Sequence, residues 1–234
     1  MTIGPRGSKT MGVMLDLHVV QLLNSRLCHD LVGPVGAVNN GLELASDGGP
    51  DGFDVEAMDL VKSSAQQVTE RLMFFRVAFG LAAGSVKTLK EARKLLTGAI
   101  IGEKNTLIWP DEEIEGPWHY GDQGLKLFLN MVHLGGECLP RGGDIEVFID
   151  PDEEKSDLVH FTITAAGQGA RIEESVLAAM MGQVGEDDLS PRSSQGYLLR
   201  RIAESCGGQL SVDYPEDDMV AVRGTAQYES MMIG

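Results

Sequence analysis

The sequence contains few cysteines, few basic residues and no long apolar run. Its 234 residues include three cysteines, and their spacing matches neither a disulfide framework nor a zinc site. No segment approaches the roughly 18 consecutive apolar residues of a membrane-spanning helix, and the polar, glycine-rich start carries no apolar signal segment. We therefore expect a protein of the reducing cytoplasm that does not enter a membrane.

The shortage of positive charge narrows the choice of partners. Nineteen Lys and Arg residues stand against 35 Asp and Glu residues, which gives a net charge of -16. A surplus of this size repels phosphate backbones and anionic lipid headgroups. Nucleic acid and membrane surfaces are therefore not expected as partners.

Two amphipathic helices are predicted in the first third of the chain. Apolar residues recur every three or four positions from Met14 to Ala45, and again from Met58 to Phe79. The turn residues from Ser46 to Gly52 separate them, so the two helices form an antiparallel hairpin. One hairpin leaves much of each apolar stripe exposed to water. We therefore expect a second copy to complete a dimeric four-helix bundle.

Strands and helices mix in the rest of the chain. Helical patterns cover residues 88–99, 122–139, 172–181 and 195–205, and strand patterns cover 105–109, 144–149, 158–165, 209–214 and 219–225. This mixture predicts an α+β sandwich for the second domain. The expected division is a flexible N-terminus at 1–13, the helical hairpin at 14–83 and the sandwich at 84–234.

A histidine on the first helix has the surroundings of a phosphoryl acceptor. His29 lies about 200° around the helix from the core position Leu27, so its ring points to solvent. The carboxylate of the adjacent Asp30 can hold the tautomer of a neutral imidazole and accept a proton. Arg26, one turn earlier, is a candidate for balancing charge on the transferring group.

The residues after the histidine set it apart from an ordinary surface pair of histidine and aspartate, which is usually unreactive. Pro34 removes a backbone donor and crowds the carbonyl of Asp30, so a kink is expected just after His29. Small residues on the same face would let a partner helix approach closely. The predicted docking residues are Gly33, Gly36, Ala37 and Asn40 on the first helix and Gln66, Gln67 and Glu70 on the second.

The other histidines and the nearest cysteine are given no chemical role. His18 has no acidic neighbour and no Gly-Pro pair after it, and we interpret it as a surface or interface residue. His119, His133 and His160 are interpreted as structural. Cys28 lies on a different face from His29, and we expect a small buried hydrophobe rather than a nucleophile.

Several motifs resemble those of sensor histidine kinases. His29-Asp30-Leu31-x-Gly33-Pro34 resembles the family's H-box, and the hairpin resembles its dimerisation and phosphotransfer domain. The second domain resembles the Bergerat-type ATP-binding domain at Pro140-x-Gly142-Gly143-x-Ile145-x-Val147, at Gly167-x-Gly169 and at Arg201-Ile202-x-Glu204-x-x-Gly207-Gly208.

The residues that bind nucleotide in that family are missing here. Leu134 stands at the position of the metal-binding asparagine, and Ala165 stands at that of the aspartate that accepts from adenine. Only Gly196 remains of the second glycine box. The resemblance therefore implies a degenerate domain that uses no ATP, and it leaves Gly167-x-Gly169 as a turn between a strand and a helix.

A kinase-like chain with a phosphorylatable histidine and a degenerate nucleotide domain resembles the ChpT-type histidine phosphotransferases of bacteria. The specific matches are Arg26-Leu27-Cys28-His29-Asp30, Asn40-Gly41-Leu42-Glu43-Leu44 and Arg76-Val77-Ala78-Phe79-Gly80. The resemblance implies a cytoplasmic homodimer without autokinase activity. Such a protein relays phosphoryl groups from the receiver domain of a hybrid histidine kinase to response regulators, with Mg²⁺ supplied by the receiver. A divergent active kinase and a non-catalytic dimeric adaptor are the alternatives.

Overall fold

The computed structural model describes residues 16–47, 55–100, 104–109, 118–152, 154–155 and 157–228. The predicted flexible stretch at 1–13 and positions 48–52 of the predicted turn lie outside the described residues. Within the described part of the chain, no helix is both long enough and apolar enough to cross a membrane.

The two predicted amphipathic helices are present and antiparallel. Helix α1 runs from Leu17 to Asp47 and contains Pro34, and helix α2 runs from Val55 to Ala78. Asp30 of α1 contacts Arg71 of α2, whereas Gly41 of α1 lies against Val61, so residue numbers run in opposite directions. A Cβ atom at Gly41 would approach Val61 Cγ2 to 2.7 Å, so the close helix crossing requires a glycine there.

The apolar stripe of α1 is only partly buried within one chain. Leu23 is half-buried against a small cluster that includes Tyr197 of the second domain, and Leu27 and Leu31 are half-buried against the main core, which contains residues of α2 and of the second domain. Val20 and Leu42 remain 38% and 47% exposed. Part of the stripe is therefore packed against other elements of the chain, and part of it is left uncovered by the residues that the structure describes.

The second domain has the predicted α+β composition. Helix α3 covers Leu89–Ile100, α4 covers Gly121–Glu137, α5 covers Glu174–Met180 and α6 covers Ser194–Ser205. Strands β1 to β5 cover Asn105–Ile108, Gly143–Pro151, Leu158–Ala166, Leu210–Asp213 and Met219–Gln227. They form one sheet in the order β1-β2-β3-β5-β4, in which β1 pairs with β2 in parallel and all other pairs are antiparallel.

The local signals at the start of α3 are those of a capping box, as the sequence predicts. The backbone N–H of Glu91 donates to Thr88 Oγ1 at 3.1 Å, and the backbone N–H of Thr88 donates to Glu91 Oε2 at 3.1 Å. The backbone N–H of Lys87 also donates to Glu91 Oε2, and this bond, with the one from the backbone N–H of Thr88, holds the pKa of the Glu91 carboxyl below its usual range.

Helix α4 joins the hairpin to the sheet. One side of it packs on the sheet, where a Cβ atom at Gly135 would lie 3.0 Å from Ile163. The buried Asn130 donates through Nδ2 to the carbonyl of Ala78, at the end of α2, over 3.1 Å. Phe74 and Phe75 of α2 belong to the same hydrophobic core as α4 and the sheet. The C-terminal end of α2 is therefore anchored in the second domain, and that contact orients the hairpin.

Candidate functional site

His29 presents its imidazole to solvent. The side chain is 88% exposed, and Nδ1 lies 3.3 Å from Asp30 Oδ1. An ionised carboxylate only accepts hydrogen bonds, so this partner favours the tautomer that carries its proton on Nδ1. The other ring nitrogen, Nε2, then keeps its lone pair and is free to act as a nucleophile.

An open groove runs beside the His29 ring between the two helices of the hairpin. Its α1 side consists of His29, Asp30, Gly33, Pro34 and Ala37, and its α2 side consists of Gln67 and Arg71. Three predicted docking residues thus border the groove: Gly33, Ala37 and Gln67. A Cβ atom at Gly33 or at Gly36 would meet nothing within 4 Å, so no contact among the described residues requires these residues to be small.

The remaining predicted docking residues lie outside this groove. Gln66 donates through Nε2 to Glu70 Oε1 at 2.8 Å, and Glu70 itself lies against Gly98 of α3. Gly36 is half-buried and Asn40 is exposed on α1. The structure therefore brings together only part of the predicted docking set.

Arg26 is engaged with the second domain rather than with the groove. It is 9% exposed, its Nη1 donates to the carbonyl of Arg192 at 2.8 Å, and its Nη2 forms an ion pair with Glu137 of α4. Partial loss of hydration raises the pKa of the Glu137 carboxyl above its usual range, and the neighbouring Arg26 opposes that shift. The guanidinium predicted to balance charge at His29 thus links α1 to α4.

The cationic side chain in the groove is Arg71, which the sequence reasoning missed. Its Nη1 donates a hydrogen bond to the backbone carbonyl of Asp30. Pro34 is the sequence feature from which a side-chain donor to the Asp30 carbonyl could have been predicted. The missing N–H of a proline leaves the carbonyl four residues earlier without its helical partner, so another donor has to be found.

A second cavity, of about 220 Å³, lies behind the groove between the hairpin and α4. Asp30 and Arg71 border it on the hairpin side, and His133 and Glu137 border it on the α4 side. His133 Nδ1 lies 2.8 Å from Gln195 Nε2, which donates to it. Burial, with the positive charge of Arg26, lowers the pKa of His133 to about 4, so this ring is neutral at neutral pH.

The prediction of a buried Cys28 is wrong, because its side chain is exposed. The second helix and the second domain cover only part of the α1 circumference, and Cys28 lies on the uncovered part. Cys138 and Cys206 are buried instead. Burial raises the thiol pKa of Cys138 to about 12.

The two residues at the positions of the kinase nucleotide ligands are buried. Leu134 and Ala165 are 2% and 1% exposed and belong to the hydrophobic core. The cavity beside Leu134 has a volume of about 20 Å³, and Glu173 and Arg192 at its border form an ion pair. Sites for small molecules usually measure roughly 300 to 1,000 Å³, so this one holds no more than a water molecule.

The remaining glycine of the second glycine box has a packing role. Gly196 opens the first turn of α6, where a Cβ atom would lie 2.2 Å from the carbonyl oxygen of Val176 in α5. Its neighbours Ser194 and Gln195 are fully buried. Among the described residues, no three His, Cys, Asp or Glu side chains are grouped so that they could hold a metal ion.

Comparison with known proteins agrees with the resemblance found in the motifs. A family model described as the histidine phosphotransferase C-terminal domain matches residues 89–218, more than half of the chain. Protein phosphotransferase ChpT of Brucella abortus (strain 2308) is 35% identical over 201 residues, which cover 85% of this chain and 91% of that protein.

A solved structure and a kinase are also similar to this chain. A solved structure of a bacterial phosphotransferase matches with 33% identity and a TM-score of 0.75, and the match covers 91% of this chain and 98% of that one. Sporulation kinase A of Bacillus subtilis (strain 168) is 25% identical over 86% of this chain, but over only 33% of the kinase. The chain therefore belongs to the ChpT-type histidine phosphotransferase family, as predicted from its motifs.

Proposed function

We propose that His29 is the phosphoryl carrier of this histidine phosphotransferase. It would accept the group from a receiver aspartate of a hybrid histidine kinase and deliver it to the receiver aspartates of response regulators. The observation that carries the proposal is the exposed His29 ring, whose Nδ1 faces Asp30 and whose Nε2 is free beside an open groove. A nucleophile that serves several protein partners has to be reachable from outside, and this one is.

The chemistry needs one bond to form and one to break. The Nε2 lone pair attacks the phosphorus of the aspartyl phosphate, the bond from phosphorus to the carboxylate oxygen breaks, and the receiver carboxylate leaves with that electron pair. The imidazole ring becomes positively charged while Nδ1 keeps its proton. Asp30 stabilises that charge through the contact at Nδ1. Delivery to the next receiver is the same step in reverse.

We propose that the nucleotide of the kinases plays no part in this exchange. The buried Leu134 and Ala165 offer neither a metal ligand nor an acceptor for adenine, and the cavity beside Leu134 has a volume of only about 20 Å³. We expect Mg²⁺ to come with the acidic pocket of the receiver. The second domain would then act by holding α1 and α2 in place.

We also propose that the protein is a homodimer with a four-helix bundle. Large apolar side chains on both helices are exposed in the single chain, among them Val35 at 43%, Leu72 at 50% and Met73 at 53%. Full burial of one such side chain stabilises an assembly by roughly 1.5 to 3 kcal/mol. A second copy of the hairpin offers a matching apolar surface related by two-fold symmetry.

The proposal is tested by incubating the full chain with a purified receiver domain that carries radiolabelled aspartyl phosphate. We expect the label to move to the wild-type chain and to His18→Ala, and to be absent from His29→Ala. His18 is the matched control because it is a histidine on the same helix that lies outside the groove. Equal labelling of wild type and His29→Ala would contradict the proposal.

Two further arms separate the alternatives. Labelling of the chain by ATP and Mg²⁺ alone would identify an active kinase, and we expect none. Docking of receivers with wild-type affinity and no label on any variant would identify an adaptor without phosphoryl chemistry. The first outcome would contradict the proposal that the nucleotide plays no part, and the second would contradict the carrier role of His29.

A further inference from the structure

We propose that Arg71 is a positioning residue for phosphoryl transfer. It replaces the backbone hydrogen bond that Pro34 removes, and so it holds the turn of α1 that carries His29 and Asp30. This inference rests on the proposed role of His29 as the phosphoryl carrier. It adds a residue on the other helix of the hairpin, 41 positions further along the chain.

The first step of the argument is the vacant backbone acceptor. In an α-helix each carbonyl accepts from the N–H four residues later, and the partner of the Asp30 carbonyl would be residue 34. Residue 34 is a proline within a continuous helix, so it has no N–H to donate. The carbonyl that lacks its helical partner therefore belongs to Asp30, whose side chain lies next to the His29 ring.

The second step identifies the donor that bonds to the Asp30 carbonyl. Arg71 Nη1 reaches across from α2 and donates to the Asp30 carbonyl oxygen. A guanidinium carries five N–H donors and keeps its positive charge at neutral pH, so it is a lasting donor for this carbonyl. A hydrogen bond that involves a charged donor is also stronger than the neutral helical bond that is lost.

The third step is the location of the guanidinium between the groove and the inner cavity. Arg71 and Asp30 border both spaces. On the groove side, Arg71 is the one side chain with a fixed positive charge among the described residues. On the cavity side, its charge contributes to the low pKa of His133. The contact therefore joins α1 and α2 at the point where they lie between the groove beside His29 and the second cavity.

The consequence concerns the geometry of the His29 ring. A helix that lacks one hydrogen bond and contains a proline can bend at that point. Such bending would vary the distance from Asp30 Oδ1 to His29 Nδ1, which is 3.3 Å in the structure. By fixing the Asp30 backbone, Arg71 keeps the carboxylate where it selects the Nδ1–H tautomer. Its loss should slow the transfer step more than it weakens receiver docking.

The test combines Arg71→Met with Pro34→Ala. Methionine keeps an apolar stem but has no donor, and alanine at position 34 restores the N–H that the Asp30 carbonyl lacks. Lys62→Met is the matched control, because Lys62 is an exposed cation on the same helix whose ion pair with Asp59 is a surface one. Phosphoryl transfer from the labelled receiver is measured against concentration of the full chain, which yields a maximal rate and a half-saturating concentration.

We expect Arg71→Met to lower the maximal rate about tenfold while the half-saturating concentration changes less than about twofold. In the Pro34→Ala background, the same substitution should lower the rate less than about threefold, because the carbonyl is already satisfied. Nitrogen-15 NMR of His29 should show the Nδ1–H tautomer weakened by Arg71→Met and recovered in the double variant. Lys62→Met should match wild type in all three measurements.

Three results would overturn the inference. The first is an unchanged rate in Arg71→Met. The second is an equal loss in both backgrounds, which would mean that Arg71 acts on the phosphoryl group itself. The third is a loss confined to the half-saturating concentration, which would mean that it acts in docking. If Arg71→Met does not fold, Arg71→Lys in the two backgrounds gives the same comparison with a smaller expected loss. Failure of the proposed function is recognised separately, because wild type would then take up no label or His29→Ala would keep it.

Discussion

The groove beside His29 and the cavity beside Leu134 have opposite designs. The groove is open, bordered by small residues of α1, and it holds a histidine that is 88% exposed. The cavity beside Leu134 has a volume of about 20 Å³, with core residues behind it and the Arg192–Glu173 ion pair at its border. The histidine proposed as the phosphoryl carrier is therefore accessible from outside, whereas the residues at the positions of the kinase nucleotide ligands are packed in the core.

The two regions are nevertheless connected by shared residues. Asp30 borders the groove and the inner cavity, and Glu137 borders the inner cavity and the closed cavity beside Leu134. Arg26 bridges from α1 to Glu137. The second domain thus contributes to the geometry of the site through polar contacts behind the groove, and the groove itself is bordered by residues of α1 and α2.

The largest effect on phosphoryl uptake is expected from a substitution of His29, beside the open groove. His29→Gln should remove all detectable phosphoryl uptake from a labelled receiver, because glutamine has no nucleophilic nitrogen lone pair. Thermal unfolding should be unchanged, since the side chain is mostly exposed. Uptake assays and circular dichroism melting check the two halves of this prediction. Label retained on the variant would mean that the groove is not the site of chemistry.

A substitution in the core of the second domain should change the stability of the fold rather than the rate of phosphoryl transfer. Ala165→Asp, which restores the carboxylate of the kinases, should lower the free energy of unfolding by about 3 kcal/mol, because a charge enters a position that is 1% exposed. Urea denaturation measures the loss, with exposed Ala65→Asp on α2 as the control. ATP binding by a stable Ala165→Asp variant, measured by calorimetry, would show that the region is not closed.

The inner cavity should make stability depend on pH. The pKa of His133 is about 4 in the folded chain and about 6.5 in the unfolded one, so the unfolded state binds more protons between these values. Stability therefore falls as the pH drops through this window. From pH 7 to pH 4.5 the loss from this group is about 2 kcal/mol. Urea denaturation of wild type and of His133→Gln at the two pH values should show the larger decrease in wild type.

The smallest expected effect is at the carboxylate next to the nucleophile. Asp30→Asn should slow phosphoryl uptake about tenfold, because an amide holds the Nδ1–H tautomer but does not stabilise the positive ring. The effect stays modest because water also reaches the exposed ring. Rapid-quench kinetics against one receiver measures it, and exposed Asp59→Asn serves as the control. An unchanged rate would mean that Asp30 has no role in phosphoryl transfer.

The parts of the fold that depend on short-range patterns were predictable. The three- and four-residue spacing located α1 and α2, and Thr88 with Glu91 marked the start of α3. The exposure of His29 followed from its angle to Leu27. The exposure of Cys28 did not follow, because periodicity identifies an apolar face but not how much of the helix circumference the rest of the chain covers.

The contacts of the candidate site also fall into two groups, those that follow from the local sequence and those that depend on the tertiary structure. His29 and Asp30 are adjacent in the chain, so their contact is a property of the helix that carries them, and the sequence by itself determined it. The bonds from Arg71 to Asp30 and from Arg26 to Glu137 join residues 41 and 111 positions apart. Only the tertiary structure decided these, since the packing of α2 and α4 against α1 sets which long side chain reaches which acceptor. The sequence determined the exposed histidine ring and its acidic neighbour, and the packing decided which arginine lies behind them.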